Sequence, residues 1–335
     1  MNFMYKFLFF YTMILGTLLS ISSMSWITAW MGLEINLLSL MPLMKKTKNM
    51  YSSESTIKYF IIQAMASALL LFSVIIFYNK SMNPSLSGFS SIFINSALFM
   101  KLGAAPFHFW LPEVISGLDW NIIFIIFTWQ KIAPSILLSY CMNSTIFIST
   151  IIIFSSIISG FQGMNQTCIR KILTYSSINH TGWMISALML SMKIWLYYFL
   201  TYVIINMNII MILKQYKIYF ISHFYKFFNF NKKLKLFYMM NFLSLAGLPP
   251  FLGFLPKWFT VYSLINDKFF VLATVLIITT LMTLYFYLRI SFSTLTFYSY
   301  ESMIYFNKNV NYMYMWLNFL SLSGLIICSM IMNFY

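Results

Sequence analysis

The sequence has very little charge. Charged residues make up only 8% of its 335 positions, six of them acidic, whereas soluble domains carry about 25% charged residues. A chain with so few charges cannot cover a water-facing surface, which excludes a series of soluble domains. Hydrophobic residues make up 61% of the chain. This composition indicates an all-α polytopic membrane protein whose solvent is lipid.

Cysteines and cofactor motifs are scarce as well. Cys141, Cys168 and Cys328 lie far apart in the sequence without the spacing of metal ligands, so neither a disulfide framework nor a cysteine-based metal site is expected. No glycine-rich phosphate loop or haem-binding pair occurs in the sequence. The net charge of +15 does not indicate a nucleic-acid partner, because the basic residues fall largely in short loops between apolar runs.

Long apolar runs fill most of the chain. A membrane-spanning helix needs about 20 apolar residues, and about eleven runs meet this requirement, which predicts one integral membrane domain over residues 1–335. The first run has no small-residue cleavage site near residues 20–25 and is expected to stay as a span, not to be removed as a signal peptide. The predicted spans are 3–23, 26–44, 57–78, 89–111, 121–140, 145–164, 172–192, 194–213, 236–266, 269–291 and 313–333.

The loop charges predict the orientation of these spans. With eleven spans the termini lie on opposite sides, and the loops on the N-terminal side hold most of the basic residues, which identifies it as the cytoplasmic or matrix side. The other side holds Lys80, Lys193 and Lys268. The basic residues on the N-terminal side are Lys6, Lys45, Lys46, Lys48, Lys58, Arg170, Lys171, Lys214, Lys217, Lys226, Lys232, Lys233, Lys235, Arg289 and Lys308.

The longest basic loop, 214–235, interleaves lysines with tyrosine and phenylalanine. This pattern is typical of an interfacial helix on anionic lipid. It also fits a solvated loop or a contact with a partner protein.

Two predicted spans contain glycine and proline at similar places, around Gly103–Pro106 and Gly247–Pro250. Proline removes a backbone donor, so each helix should break there, and such breaks are tolerated only inside protein or beside a wet cavity. The broken spans are the fourth and the ninth. This spacing predicts two inverted five-helix repeats, about 3–140 and about 145–291, followed by a final helix at about 313–333. Two unrelated proline kinks are the alternative.

Four charged residues cannot be assigned to loops: Glu34, Lys101, Lys131 and Lys257. A charge at the centre of the bilayer costs about 2.5–3.5 kcal/mol, and such residues usually belong to proton or ion pathways. The alternative is an ion pair that only holds the helices together. Because a neighbouring carboxylate favours the protonated lysine, a Glu34–Lys101 contact that forms and breaks would act as a proton switch.

The three histidines fit more than one role. His180 could shuttle protons, since imidazole titrates near neutral pH, or it could be a hydrogen-bonded packing residue. His108 follows the first predicted break, and His223 lies in the basic loop.

The charged segments resemble known motifs. KLGAAPFHFWLP at 101–112 resembles the signature of the antiporter-like membrane subunits of respiratory complex I. The segments TWQKIAP at 128–134, LTYSSINH at 173–180, LAGLPPFLGFLPKW at 245–258 and MGLEIN at 31–36 narrow the resemblance to the chain 2 family of NADH:ubiquinone oxidoreductase. The eleven predicted spans resemble its shortened animal mitochondrial form.

This resemblance implies a proton-translocating subunit of the mitochondrial inner membrane, driven by electron transfer from NADH to ubiquinone. It implies that Glu34 and Lys101 are a coupled pair, Lys131 the central relay and Lys257 the outlet-side relay, with His180 as a further candidate. NADH, FMN, iron–sulfur clusters and ubiquinone would be bound by other subunits. The implied partners are the other membrane-arm subunits and lipids such as cardiolipin, with the N-terminus in the matrix and the C-terminus in the intermembrane space.

Two other functions fit the same residues. An autonomous cation/proton antiporter would share the fold and the buried lysines. A structural membrane scaffold would use its buried charges only to hold helices together.

Overall fold

The computed structural model describes residues 4–45, 49–78, 86–142, 144–223, 232–296, 316, 318–319 and 321–324. Across these residues the regular elements are helices, with one isolated β-bridge between Cys168 and Phe220. The α-helices are α1 (Met4–Ile21), α2 (Trp26–Met44), α3 (Met50–Tyr78), α4 (Leu86–Leu102), α5 (Trp110–Ser116), α6 (Trp120–Phe127), α7 (Trp129–Ser139), α8 (Thr145–Met164), α9 (Ile169–Leu190), α10 (Met192–Tyr216), α11 (Lys232–Ala246), α12 (Phe254–Asn266) and α13 (Phe270–Thr296).

Among the described residues, seven helical segments are long and apolar enough to cross a membrane. Four of the eleven predicted spans are not among these seven segments, for separate reasons. Spans 89–111 and 236–266 are each divided into two shorter helices. Span 172–192 corresponds to α9, which is rich in polar residues. Span 313–333 lies mostly outside the described residues, and the part of it that is described is helical.

Several predicted boundaries were wrong. The third span begins at Met50 instead of residue 57. Helix α10 continues to Tyr216, past the predicted end at 213, and therefore shortens the predicted loop 214–235 at its start. The span predicted at 121–140 is present as Trp120–Ser139, with an interruption at Thr128 that was not predicted. Residues 224–231 of the basic loop lie outside the described residues, so its two interpretations stay open.

The chain forms two compact units, Met1–Ser155 and Ser156–Tyr335. In the first unit, α1 and α2 approach closely where Gly16 faces Gly32. A Cβ atom on Gly32 would lie 2.6 Å from the backbone nitrogen of Ser20, so a larger side chain would force the helices apart. This crossing positions the middle of α2, where Glu34 lies.

The second unit is arranged around α9, which contacts α10, α12 and α13. Every residue of α9 from 172 to 188 is buried, including polar residues such as Asn179 and His180. Apolar side chains such as Ile278 and Leu281 of α13 are exposed instead. A polar interior with an apolar exterior is the arrangement that lipid favours, because polar groups need partners that hydrocarbon cannot supply.

Candidate functional site

The first helix break places Lys101 at the end of a half-helix. Helix α4 closes with a Schellman motif, in which Gly103 N–H donates to Met100 O at 3.2 Å and Ala104 N–H donates to Phe99 O at 3.0 Å. Gly103 has a φ of 71°, a conformation that favours glycine. Lys101 lies in the last turn with only 7% of its surface exposed. The negative end of the helix dipole favours its ammonium group there.

Lys101 and Lys131 line the same cavity. The cavity has a volume of about 10 Å³, which is near the ~10–15 Å³ that a single water molecule needs. The two lysines come from α4 and α7, so the cavity joins the broken helix to the next span. Its other lining residues are Tyr59, Gln63, Leu102, Trp110, Leu111, Ile126 and Gln130.

Glu34 lies on α2 and is half-buried. Its carboxylate interacts electrostatically with Lys101, but the structure shows no ion pair within 4.0 Å between these two described residues. The predicted Glu34–Lys101 contact that forms and breaks stays a prediction.

Lys131 follows an interruption in the fifth predicted span. Helix α6 ends at Phe127 and α7 begins at Trp129, which makes Lys131 the third residue of the new helix. Its side chain is 4% exposed, and its ammonium lies 6.0 Å from the centroid of the Phe127 ring. The Thr128 hydroxyl donates to Phe124 O at 2.7 Å, a backbone contact that often bends helices.

The second helix break repeats the first. Helix α11 also closes with a Schellman motif: Gly247 N–H donates to Ser244 O at 3.0 Å, and Leu248 N–H donates to Leu243 O at 3.4 Å. Gly247 has a φ of 82°. The predicted interruptions of spans four and nine are therefore both present.

Lys257 reaches back across the second break to the end of α11. Its Nζ donates to Ala246 O at 2.8 Å and lies 3.5 Å from Leu245 O. A Cβ atom on Gly247 would lie 3.0 Å from this nitrogen, so a larger residue there would push the lysine side chain aside. The ammonium also lies 5.9 Å from the centroid of the Trp183 ring of α9. Lys257 is thus buried against a negative helix end and an aromatic ring.

His180 belongs to a buried polar cluster in the same unit. Its Nδ1 and the Tyr198 hydroxyl are 2.9 Å apart, and its ring centroid lies 5.1 Å from that of Tyr202. The Tyr202 hydroxyl interacts with the side chains of Ser177 and Asn206. These hydroxyl groups can both donate and accept hydrogen bonds.

The other two histidines lie apart from this cluster. His108 is fully buried within the first break and packs on Phe109, with ring centroids 4.3 Å apart. His223 ends a short 3₁₀ helix, and its Nδ1 accepts from the backbone N–H of Tyr219 at 3.5 Å.

The two breaks also share a sequence pattern. A proline, a phenylalanine and a Leu-Pro pair recur at the same distances after each glycine, and at this spacing Lys257 occupies the position of Glu113. Glu113 is exposed and forms an ion pair of 2.9 Å with Lys58, which also pairs with Glu54 at 3.0 Å. The matching positions are Gly103 and Gly247, Pro106 and Pro250, Phe107 and Phe251, Leu111 and Leu255, and Pro112 and Pro256.

The polar residues Gln63, Gln130, Tyr198 and Tyr202 were not predicted as site residues. Gln63 and Gln130 line the cavity, and the two tyrosines surround His180. Their polarity within apolar runs was the available signal. The described residues contain no cluster of three His, Cys, Asp or Glu side chains that could hold a metal ion.

Comparison with known proteins gives consistent similarities. Residues 23–283 match the family described as NADH:quinone oxidoreductase/Mrp antiporter, TM. NADH-ubiquinone oxidoreductase chain 2 of Locusta migratoria is 46% identical over 294 residues, covering 87% of this chain and 85% of that protein. The chain 2 protein of Anopheles gambiae is 44% identical over 332 residues, covering 97% of each.

The fold is similar to that of a chain in respiratory complex I from Thermus thermophilus. The TM-score is 0.82 at 22% identity, and the match covers 96% of this chain and 76% of that chain. Together with the buried lysines at two helix breaks, these similarities show that the chain belongs to the NADH-ubiquinone oxidoreductase chain 2 family of antiporter-like membrane subunits.

Proposed function

We propose that this chain translocates protons in the membrane arm of mitochondrial respiratory complex I, with Glu34, Lys101, Lys131 and Lys257 as the relay. The cavity shared by Lys101 and Lys131 carries the proposal. It offers a buried polar route between two groups that can each take up and release a proton. Electron transfer from NADH to ubiquinone would take place in other subunits, which hold the cofactors and are the partners of this chain.

In the first unit, Glu34 and Lys101 would form the switch. A carboxylate favours the protonated form of a neighbouring lysine, and the two residues already interact electrostatically. When Glu34 moves toward Lys101, the lysine would keep its proton. When Glu34 moves away, the lysine would release the proton to the cavity. Lys131, which also lines the cavity, would then receive it through one water molecule.

Glu34→Gln is expected to lower proton pumping and NADH:ubiquinone turnover together, because it removes a charge that favours protonated Lys101. The loss should be smaller at low pH, where protons are more available. Turnover and proton uptake by vesicles between pH 6 and 9 would measure this. Glu54→Gln is the matched control, since Glu54 is an exposed acid paired with Lys58. Equal pH profiles for Glu34→Gln and the parental complex would contradict the switch.

In the second unit, Lys257 would pass protons toward the outlet. Its ammonium is held by the carbonyl oxygens at the end of α11, so deprotonation must weaken these contacts. The matching breaks support the proposal that residues of about 3–140 and about 145–291 form two inverted five-helix repeats of an antiporter-like fold. Superposition of these repeats after inversion would test the relation.

His180 is proposed as a further relay in the second unit. If it exchanges protons with Tyr198, His180→Ala should reduce pumping strongly and Tyr198→Phe should reduce it partly, with assembly preserved. The number of protons taken up per electron in vesicles measures both effects. His223→Gln serves as the control, because His223 lies outside the cluster. If both variants pump at the parental ratio, His180 is a packing residue.

We propose that the protein lies in the mitochondrial inner membrane with its N-terminus in the matrix and its C-terminus in the intermembrane space. The excess of lysine and arginine in the loops on the N-terminal side supports this orientation. A protease applied from the matrix side should cut loop 214–235, while a label on Tyr335 should be reachable only from the intermembrane space. The reverse pattern would overturn the orientation. Changed cleavage after addition of cardiolipin would support the proposed lipid contact of that loop.

The family description also includes Mrp antiporters, so an autonomous cation/proton antiporter is the second candidate function. Co-migration of the chain with NADH-oxidising activity on a native gel would favour the complex I subunit. Cation-driven proton exchange by the isolated chain would favour the antiporter. A structural scaffold would instead tolerate substitution of all its buried lysines without loss of pumping.

A further inference from the structure

Gln130 lies beside Lys131 in sequence and lines the cavity that holds both Lys101 and Lys131. The relay described above gives it no role. Its side chain cannot titrate near neutral pH, but its amide has both a donor and an acceptor end. The orientation of that amide therefore determines which end the cavity presents to a lysine or a water molecule.

Asn36 fixes this orientation. The Gln130 Nε2 donates to Asn36 Oδ1 at 2.8 Å, across 94 positions of sequence. Asn36 is only 3% exposed and lies on α2, the helix that carries Glu34. Because Nε2 donates one of its two N–H groups to Asn36, the amide is held with its carbonyl oxygen as the end that can accept a hydrogen bond in the cavity.

The backbone of Gln130 adds a second acceptor. A helical residue normally receives a hydrogen bond from the N–H four positions later, but that position is Pro134, which has no N–H. The Gln130 carbonyl is therefore denied its usual helical donor. Both oxygens of Gln130 can thus accept from an ammonium group or a water molecule, and neither can keep the proton.

We propose that Gln130 orients the water that connects Lys101 to Lys131, and that Asn36 is the positioning residue that sets the Gln130 amide. This inference rests on the proposed relay and assigns residues to its transfer step. A neutral acceptor stabilises an ammonium on either lysine without becoming protonated itself, so a proton can move in both directions. The contact also links the Glu34 helix to the transfer step, because a movement of α2 would move Asn36.

The test is proton uptake per electron by vesicles that contain the intact complex. Gln130→Met keeps about the same side-chain volume but removes the amide oxygen that accepts. Asn36→Leu removes the partner that holds the Gln130 amide. Each variant should lower the number of protons taken up per electron several-fold. Asn36→Asp keeps an acceptor for Nε2 and should restore pumping. The double variant Asn36→Leu/Gln130→Met should be no worse than Gln130→Met, because both changes disrupt one interaction. Gln130→Glu should give the pH profile a new titration step.

Asn95→Leu is the matched control. Asn95 is also a fully buried asparagine, but it donates to Cys141 O at 2.9 Å and to Ser144 Oγ at 3.2 Å and does not line the cavity. A native gel shows which variants assemble. If the variants of buried Asn36 do not assemble, the variants of half-buried Gln130 decide the outcome. Parental ratios for Gln130→Met, or additive losses in the double variant, would overturn the inference. Lys131→Ala in the same vesicles separates the two proposals: if it also pumps normally, the relay itself is wrong.

Discussion

Lys131→Ala is expected to abolish proton pumping while the complex still assembles. The lysine is buried among apolar groups, so alanine removes the proton carrier and also a charge that is costly at membrane depth. Apart from Lys101, the cavity is lined by glutamine, aromatic and apolar side chains, which cannot replace Lys131 as a proton carrier. Proton uptake and NADH:ubiquinone turnover by vesicles, with assembly followed on a native gel, measure the loss.

Lys131→Arg should fail as well, although it keeps the positive charge. A guanidinium group stays protonated under all physiological conditions and cannot pass its proton on. Lys193→Ala is the matched control, because Lys193 is an exposed lysine near the start of α10. An assembled Lys131→Ala complex that pumps at the parental ratio of protons to electrons would make Lys131 a structural residue.

The sequence predicted both main helix breaks because their causes are local. Proline cannot donate a helical hydrogen bond, and glycine at Gly103 and Gly247 adopts the positive φ that ends each half-helix. The burial of Lys101, Lys131 and Lys257 followed from their position within long apolar runs. These predictions needed only neighbouring residues and the thickness of the membrane.

The contacts that connect these residues could not be predicted in the same way. The Asn36–Gln130 hydrogen bond joins positions 94 residues apart, and the Lys257–Ala246 contact depends on how the chain turns between the two helices. The interruption at Thr128 had a weak local signal, since a threonine hydroxyl can bond to the backbone without breaking a helix. Helix α9 was predicted as a span, but the burial of its polar residues depends on packing against other helices and could not be predicted.

The two breaks use the same backbone motif but bring lysine to it in different ways. Lys101 belongs to the half-helix whose end it occupies, whereas Lys257 reaches that end from the following helix. The corresponding position in the first half is Glu113, which pairs with Lys58 on an exposed surface. A repeated backbone can therefore hold a buried cation in both halves although the lysine occupies different sequence positions.

Lys257→Met is expected to stop pumping and also to weaken the second unit. It leaves the carbonyl oxygens of Leu245 and Ala246 without the donor they now share, and an unsatisfied buried polar group costs about 1–3 kcal/mol. The thermal stability of the assembled complex should therefore fall together with proton uptake. Lys214→Met is the control, since Lys214 is exposed at the end of α10.

Lys257→Arg separates the two roles of this lysine. The guanidinium can donate to the same carbonyl oxygens, so stability should recover relative to Lys257→Met. Pumping should stay lost, because the arginine holds its proton throughout the cycle. If Lys257→Arg restores both stability and the parental ratio of protons to electrons, the residue serves only to cap α11. In that case the proton path through the second unit must use other groups, such as His180 of α9 and Tyr198 of α10.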